Sequence, residues 1–249
     1  MLREGMVNCP QDKTVLCFAE KASVTKPMNC FTHALPYIDN AWTAAGCCIP
    51  DWLSAVDRKC RAREKKATPF IDHDDPIVAA VSQGIVNHHR DDHWFHTNAT
   101  FQQMNITFAV ELREMLDGER GMRTGFLGHV LIELFLDAWL HDKFPGKMQY
   151  YYEQLETIEP LKVQEIVNLF ATKKTDKLAP EIERVLKNRY LFDYTDDSKM
   201  LYRINRVMKR IGLELIDDRI LDWMKGARSR VYDRVPDLLD RYAIELEGI

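Results

Sequence analysis

Apolar residues recur along most of this chain at helical spacing. Val78, Val81 and Ile85 follow the 3.6-residue period of an amphipathic helix, and residues 101–116 repeat that pattern. Residues 125–141 are apolar almost all round, which predicts a central buried helix. We find no run that alternates apolar and polar residues as a half-buried strand does.

Turn and capping signals divide the chain into further helices. Asp74 or Asp75 can cap a helix that has Pro76 at its first position. The small apolar run 41–48 is predicted to close at Pro50. Further amphipathic, charge-laced helices are predicted at 161–170, 180–191, 198–211 and 215–246. The pattern indicates an all-α, single-domain array of roughly seven to nine helices.

The N-terminal residues differ from the rest of the chain. Residues 1–27 are polar, have no clear periodicity and end in Lys26-Pro27. We therefore predict a loose N-terminal extension at 1–27 and one helical domain at 28–249.

Composition and charge exclude several classes of protein. The net charge is −4, so a surface that coats nucleic acid or a polybasic membrane patch is not expected. No apolar run reaches the roughly 18 residues of a membrane helix, and the N-terminus lacks a signal-type apolar stretch. Without a signal peptide, we expect reduced thiols and a cytoplasmic protein. The six cysteines form no CxxC pair, so a structural zinc knuckle is not expected.

Histidines and acids cluster on the helix that begins near Pro76. The stripe from Val81 and Ile85 projects onto His88 and Asp92, four residues apart on one face. His96 follows one turn later. His89 and His93 form a rival pair, about 100° around the helix, so the pattern leaves open which pair faces inward.

The central helix repeats this spacing with His129 and Glu133, and Asp137 follows one turn later. A buried ionised carboxylate is costly unless it is paired or bound to metal. Neutral imidazole and carboxylate are ligands for manganese, iron or zinc. With His33 and Asp51, the two helices could complete a site for two ions, which suits phosphodiester hydrolysis.

Other interpretations compete with a metal site. A buried network of hydrogen bonds between histidines and acids could hold the helices together without binding a metal. The pairs His73-Asp74 and His141-Asp142 resemble the dipeptide of HD-domain hydrolases, but their polar surroundings predict surface turns. Arg90 could neutralise a substrate phosphate or form a surface ion pair.

Several segments resemble the acyl carrier protein phosphodiesterase family, helical hydrolases related to HD-domain phosphohydrolases. The family's opening MNFLAHLHLA and its signature GI-x-x-HR-x-ID-x-FTD have counterparts here, as do a glycine-aspartate segment and a buried helix with spaced acids. The opening is matched by MNCFTHALPYI at 28–38, the glycine-aspartate segment by AGCCIPDW at 45–52, and the signature by GIVNHHRDDHWFH at 84–96. The buried helix is matched at 129–139, and a later helix of the family, rich in leucine, tyrosine and arginine, is matched at 188–191 and 200–210.

The resemblance implies a function and a set of site residues. It places His33, Asp51, His88 and Asp92 at metal-binding or catalytic positions. It implies manganese-favoured hydrolysis of a phosphodiester, with release of 4′-phosphopantetheine from acyl carrier protein. We expect no nucleic acid or membrane partner.

The chain departs from the family at three ligand positions. His96, His129 and Glu133 stand where the family has aspartates. Their spacing is similar to the His-x-x-x-Asp and His-x-x-x-Glu ligand pairs of zinc-dependent phospholipase C, so the metal and the substrate can differ from those of the family.

The first hypothesis is therefore a metal-dependent phosphoric-ester hydrolase. Its ligands would be His33, Asp51, His88, Asp92, His96, His129 and Glu133. Asp92 or Asp137 would orient the attacking water, and Arg90 would neutralise phosphate charge. The alternatives are a non-catalytic helical scaffold and an oxygenase with a carboxylate-bridged iron pair. The Glu-x-x-His spacing common in such oxygenases is absent from the chain.

Overall fold

The computed structural model describes residues 29–116 and 124–242, and all regular structure in these ranges is helical. The prediction for residues 1–27 lies outside the described residues. Besides four short 3-10 helices, these ranges contain twelve α-helices: α1 (Cys30–Ala34), α2 (Ala41–Val56), α3 (Glu64–Ala67), α4 (Pro76–Thr97), α5 (Ala99–Met115), α6 (Thr124–Lys143), α7 (Pro145–Glu156), α8 (Pro160–Phe170), α9 (Leu178–Asn188), α10 (Asp197–Ile211), α11 (Ile220–Asp233) and α12 (Val235–Leu238).

The all-α prediction is confirmed, but the predicted number of helices was too low. Helices α1, α3 and α12 have only four or five residues each. Segments this short contain too few apolar repeats to show a helical period, so their sequences do not predict helices.

Helix α2 runs through Pro50, which was predicted to end it. The side chain of Asn40 caps its first turn by accepting hydrogen bonds from the amides of Trp42 and Thr43. Proline inside a helix removes one hydrogen bond and costs about 3 kcal/mol. The fully buried Trp52 and Leu53 lie beyond Pro50, and their burial offsets this cost.

Helices α2 and α4 pack closely at two glycines. A Cβ atom added to Gly46 would lie 2.5 Å from the carbonyl oxygen of Val81, and one added to Gly84 would lie 2.7 Å from the Cα of Gly46. The two backbones therefore meet without side chains between them. This contact fixes the stretch of α4 that carries the candidate ligands against α2.

The predicted start of α4 is confirmed. The side chain of Asp75 accepts a hydrogen bond of 2.8 Å from the amide of Ile77, and Pro76 occupies the first turn. Val78, Val81 and Ile85 are buried, as their spacing predicted.

Helix α6 is the central buried helix that the sequence predicted. It packs against α1, α5, α7 and α11, and most of its residues are buried. No helix in residues 29–116 or 124–242 has the combined length and apolar character needed to cross a bilayer.

The segments after α6 differ from the prediction in two places. Helix α7 was not predicted, because the three tyrosines at 150–152 are only partly apolar and give its sequence a weak helical pattern. In the structure Tyr151 and Tyr152 are nevertheless fully buried. The predicted continuous helix at 215–246 is wrong in its described part, since α11 ends at Asp233 and α12 starts afresh at Val235.

Candidate metal centre

A first group of ligand atoms comes from α1 and α4. His33, His88 and Asp92 each offer one such atom, and these atoms all lie within 4.8 Å of one another. Both histidines are buried, and their ring centroids are 4.4 Å apart. Of the two histidines that the pattern left open, His88 is therefore the one that faces the interior. His89 instead places its Nε2 atom 2.7 Å from the carbonyl oxygen of Ala62.

A second group comes from α4 and α6. The ligand atoms of His96, His129 and Glu133 also lie within 4.8 Å of one another. The Nε2 atoms of His96 and His129 lie 3.1 and 3.0 Å from the same Oε1 atom of Glu133. Two ligand atoms bonded at right angles to one ion at ~2.1 Å are ~3 Å apart. The group therefore has the compactness of a coordination site.

The two groups are neighbours on α4. The Oδ1 atom of Asp92 lies 3.5 Å from the Nδ1 atom of His96, one turn further along the helix. Each histidine ring of the second group packs against Phe101, with centroid distances of 5.2 and 5.0 Å. Because about a fifth of the His96 and His129 side chains remains exposed, this end of the cluster is open to solvent.

Glu133 is ionised in this environment. Burial on its own would raise the pKa of its carboxyl group, but the charges and hydrogen bonds of His129 and then His96 outweigh burial and lower the pKa to about 2. Its Oε2 atom is buried and has no hydrogen-bond partner among the described residues. A buried carboxylate oxygen of this kind calls for a partner such as a cation or a water molecule.

Asp137 lies deeper in α6 and belongs to neither group. Its Oδ1 atom accepts hydrogen bonds from the amide and the hydroxyl of Thr32, at 2.8 and 2.5 Å. Burial raises its pKa to about 7, against the opposing effect of the Thr32 hydrogen bonds. Its Oδ2 atom is buried without a hydrogen-bond partner in the described part of the chain.

Asp51 is buried on α2, and it too lies outside both groups. Both Asp51 and Asp137 raise the pKa of the Cys30 thiol, after the larger effects of burial and of Cys48. Cys30 precedes His33 by less than one turn of α1. The two carboxylates therefore approach the base of α1 from different helices.

Arg90 lies on the surface of α4, where its Nε atom is 3.2 Å from the Oε1 atom of Glu64 and 55% of its side chain is exposed. This is the ion pair that the sequence offered as the alternative, and a role in phosphate binding stays a prediction. His73 is exposed as expected. His141 is not in a turn, since it lies in the last turn of α6 against Phe192.

Sequence reasoning missed two residues near the centre. Asp91 is buried on α4, and its Oδ1 atom lies 3.2 Å from Arg241. Its spacing of three residues from His88 was a signal that it shares the buried face. Thr32 carried no signal, because its partner Asp137 is 105 residues away in the chain.

The donor atoms suit a divalent metal of the first transition row. Each group combines two imidazoles with one carboxylate, and zinc, manganese and iron accept this set. Each group leaves coordination positions that its three side chains do not fill.

Comparison with protein-family models, with curated proteins and with solved structures found no match to this chain. The resemblance to the acyl carrier protein phosphodiesterases therefore stays a prediction.

Proposed function

We propose that this chain is a metal-dependent hydrolase of phosphoric esters. The observation that carries the proposal is the pair of adjacent ligand groups, which share α4 and meet where Asp92 approaches His96. Two neighbouring sites with unfilled positions are what two-metal hydrolysis of a phosphodiester requires. The sequence resemblance also implies an HD-related fold, and we include that fold in this proposal.

Each group would hold one ion. His33, His88 and Asp92 would bind the first, and His96, His129 and Glu133 the second. Manganese, zinc or iron bound there would supply Lewis acidity and an activated water molecule. Acyl carrier protein is the substrate that the sequence resemblance suggests, whereas the two groups support only the wider class of phosphoric esters.

Asp137 would handle protons beside this centre. It lies one turn from Glu133 on α6, and its pKa of about 7 is the value that suits a general base near neutral pH. The hydrogen bonds from Thr32 hold one of its oxygens, and the other oxygen, which is buried, would exchange a proton through a water molecule.

A second candidate function is a non-catalytic scaffold, and one observation favours it. His96 and His129 can both donate a hydrogen bond to the same oxygen of Glu133. Without any metal, these two hydrogen bonds would satisfy one oxygen of Glu133 and tie α4 to α6 as a network.

Metal content and turnover distinguish the two functions. The experiment measures metal bound by the purified protein, and then hydrolysis of bis-p-nitrophenyl phosphate with added manganese or zinc. We expect bound metal and turnover in the wild-type protein. We also expect a loss of turnover of at least about a hundredfold in His88→Ala and in His129→Ala, because each removes a ligand.

The matched control is His93→Ala, which removes an exposed histidine from the same helix. It should keep both metal and turnover. Folding of each variant is checked by circular dichroism and by its melting temperature. Turnover that survives in His88→Ala and His129→Ala would reject the proposed centre, and a folded protein without metal or turnover would favour the scaffold.

A further inference from the structure

A cavity lies on another side of α6 from the metal centre. It has a volume of about 330 Å³ and lies between the end of α2, α6, α9 and α10. Its inner walls are apolar, with Ala55, Val130, Leu134 and Ile204 all buried. Val130 and Leu134 each follow a ligand of the second group by one residue, so the cavity and the metal centre occupy different faces of the same helix.

The mouth of this cavity is strongly basic. Four arginines line it, Arg184 from α9 and Arg203, Arg206 and Arg210 from α10. Side chains at positions three and four residues apart lie on one face of a helix, so the α10 arginines project to the same side. Helix α10 thus turns one charged face toward the opening.

Acidic residues neutralise only part of this charge. Arg184 forms a two-point ion pair with the buried Glu181, and Arg203 pairs with Asp193. Arg206 and Arg210 have no carboxylate within 4.0 Å among the described residues, and Arg206 donates only to the hydroxyl of Tyr202, at 3.2 Å. Two guanidinium groups at the mouth therefore remain for an anion.

The electrostatics at Arg210 agree with this excess. Desolvation lowers the pKa of its guanidinium, and the negative charge of Glu181 opposes this effect. The positive charges of Arg184 and Arg58 lower the pKa further. An anion placed among these groups would relieve their mutual repulsion.

We propose that this cavity binds an amphiphilic anion, with its phosphate or carboxylate head at Arg206 and Arg210 and its apolar body against Val130, Leu134 and Ile204. Planar guanidinium groups bind both kinds of head by two-point hydrogen bonds. A cavity of this size with apolar walls and a few convergent polar groups is typical of small-molecule sites. The proposal is independent of the hydrolase function.

Binding is measured by calorimetry on the full chain after treatment with a chelator, so that metal plays no part. The probes are decyl phosphate, decanoate, decanol and inorganic phosphate. We expect one of the two charged amphiphiles to bind at least about tenfold more tightly than decanol and than inorganic phosphate. The stronger of the two identifies the head group.

Three variants locate the site. Arg206→Gln and Arg210→Gln should each weaken binding about tenfold or more, because each removes a charged donor from the mouth. Val207→Phe keeps every charge but fills part of the cavity, and it should weaken binding as well. The matched control Lys209→Gln removes an exposed charge beside Arg210 that does not line the cavity, and it should bind as the wild type does.

The result that overturns the proposal is equally specific. Equal affinity for decanol and the charged probes would show that the arginines do not select the ligand. Binding that is unchanged in all three variants would place the ligand elsewhere. His88→Ala, which disables the proposed metal centre, should retain full binding, so failure of the hydrolase proposal does not affect this test.

Discussion

Asp137 on α6 accepts two hydrogen bonds on one oxygen from Thr32 on α1, one from the amide and one from the hydroxyl. Thr32 directly precedes His33, so this contact fixes the short helix that presents the first histidine of the metal centre. Helix α1 has only five residues, and an isolated helix of that length is unstable in water. The buried acid therefore positions a ligand that the local sequence cannot hold in place.

The raised pKa of Asp137 predicts that the metal-free protein loses stability as pH rises. The folded chain retains a proton that the unfolded chain has released between pH 3.8 and about 7. The free energy of unfolding therefore falls as pH increases through this window, by at most ~1.4 kcal/mol per pH unit, and the loss is complete above the folded-state pKa.

Asp137→Asn should remove this part of the pH dependence, because asparagine keeps an oxygen for Thr32 but cannot ionise. Urea unfolding between about pH 5 and 7 measures the effect. Glu133, whose pKa is lowered to about 2, contributes a constant amount across that range. The control Asp142→Asn changes an exposed acid on the same helix and should keep the wild-type slope. An unchanged slope in Asp137→Asn would contradict the assignment.

The contact between Gly46 and Gly84 predicts a large loss of stability on adding one methyl group. In Gly84→Ala the new Cβ would meet the backbone of Thr43 and the Cα of Gly46, neither of which can rotate away. We expect the free energy of unfolding to fall by at least ~2 kcal/mol, because α2 and α4 must separate. Denaturant unfolding at constant pH measures this change.

Gly226→Ala is the matched control for that substitution. A Cβ atom at Gly226 meets nothing within 4 Å, and the residue lies in the middle of α11. This variant should be more stable than the wild type by ~0.5–1 kcal/mol, since alanine favours a helix over glycine. Equal losses in the two variants would show that the close approach of α2 and α4 does not carry the effect.

Periodicity predicted those parts of the centre that lie on long helices. The stripe from Val81 through Ile85 placed His88 inward, and the spacing of four residues brought Asp92 to the same region. The same logic succeeded on α6 with His129 and Glu133. These inferences worked because a helix repeats its faces over many turns, so apolar neighbours report where a polar residue points.

The remaining features depend on contacts between distant segments. No local pattern shows that His96 joins His129 rather than His88, since that depends on how α4 crosses α6. The same holds for Asp51, which lies outside both groups although it shares α2 with the buried Trp52. Its helix continues through Pro50 only because tertiary burial outweighs a local penalty.

The division of the centre into two groups predicts how many ions each variant binds. The wild-type protein should bind two ions of manganese or zinc per chain, as measured by equilibrium dialysis and elemental analysis. His88→Ala removes a ligand of the first group only, and Glu133→Gln removes the charge from the second while keeping an oxygen for His96 and His129. Each single variant should therefore bind one ion, and the double variant none.

His93→Ala, with an exposed histidine changed, should still bind two. If either single substitution abolished both ions, the contact of 3.5 Å between Asp92 and His96 would have to join the ligands into a single cooperative centre.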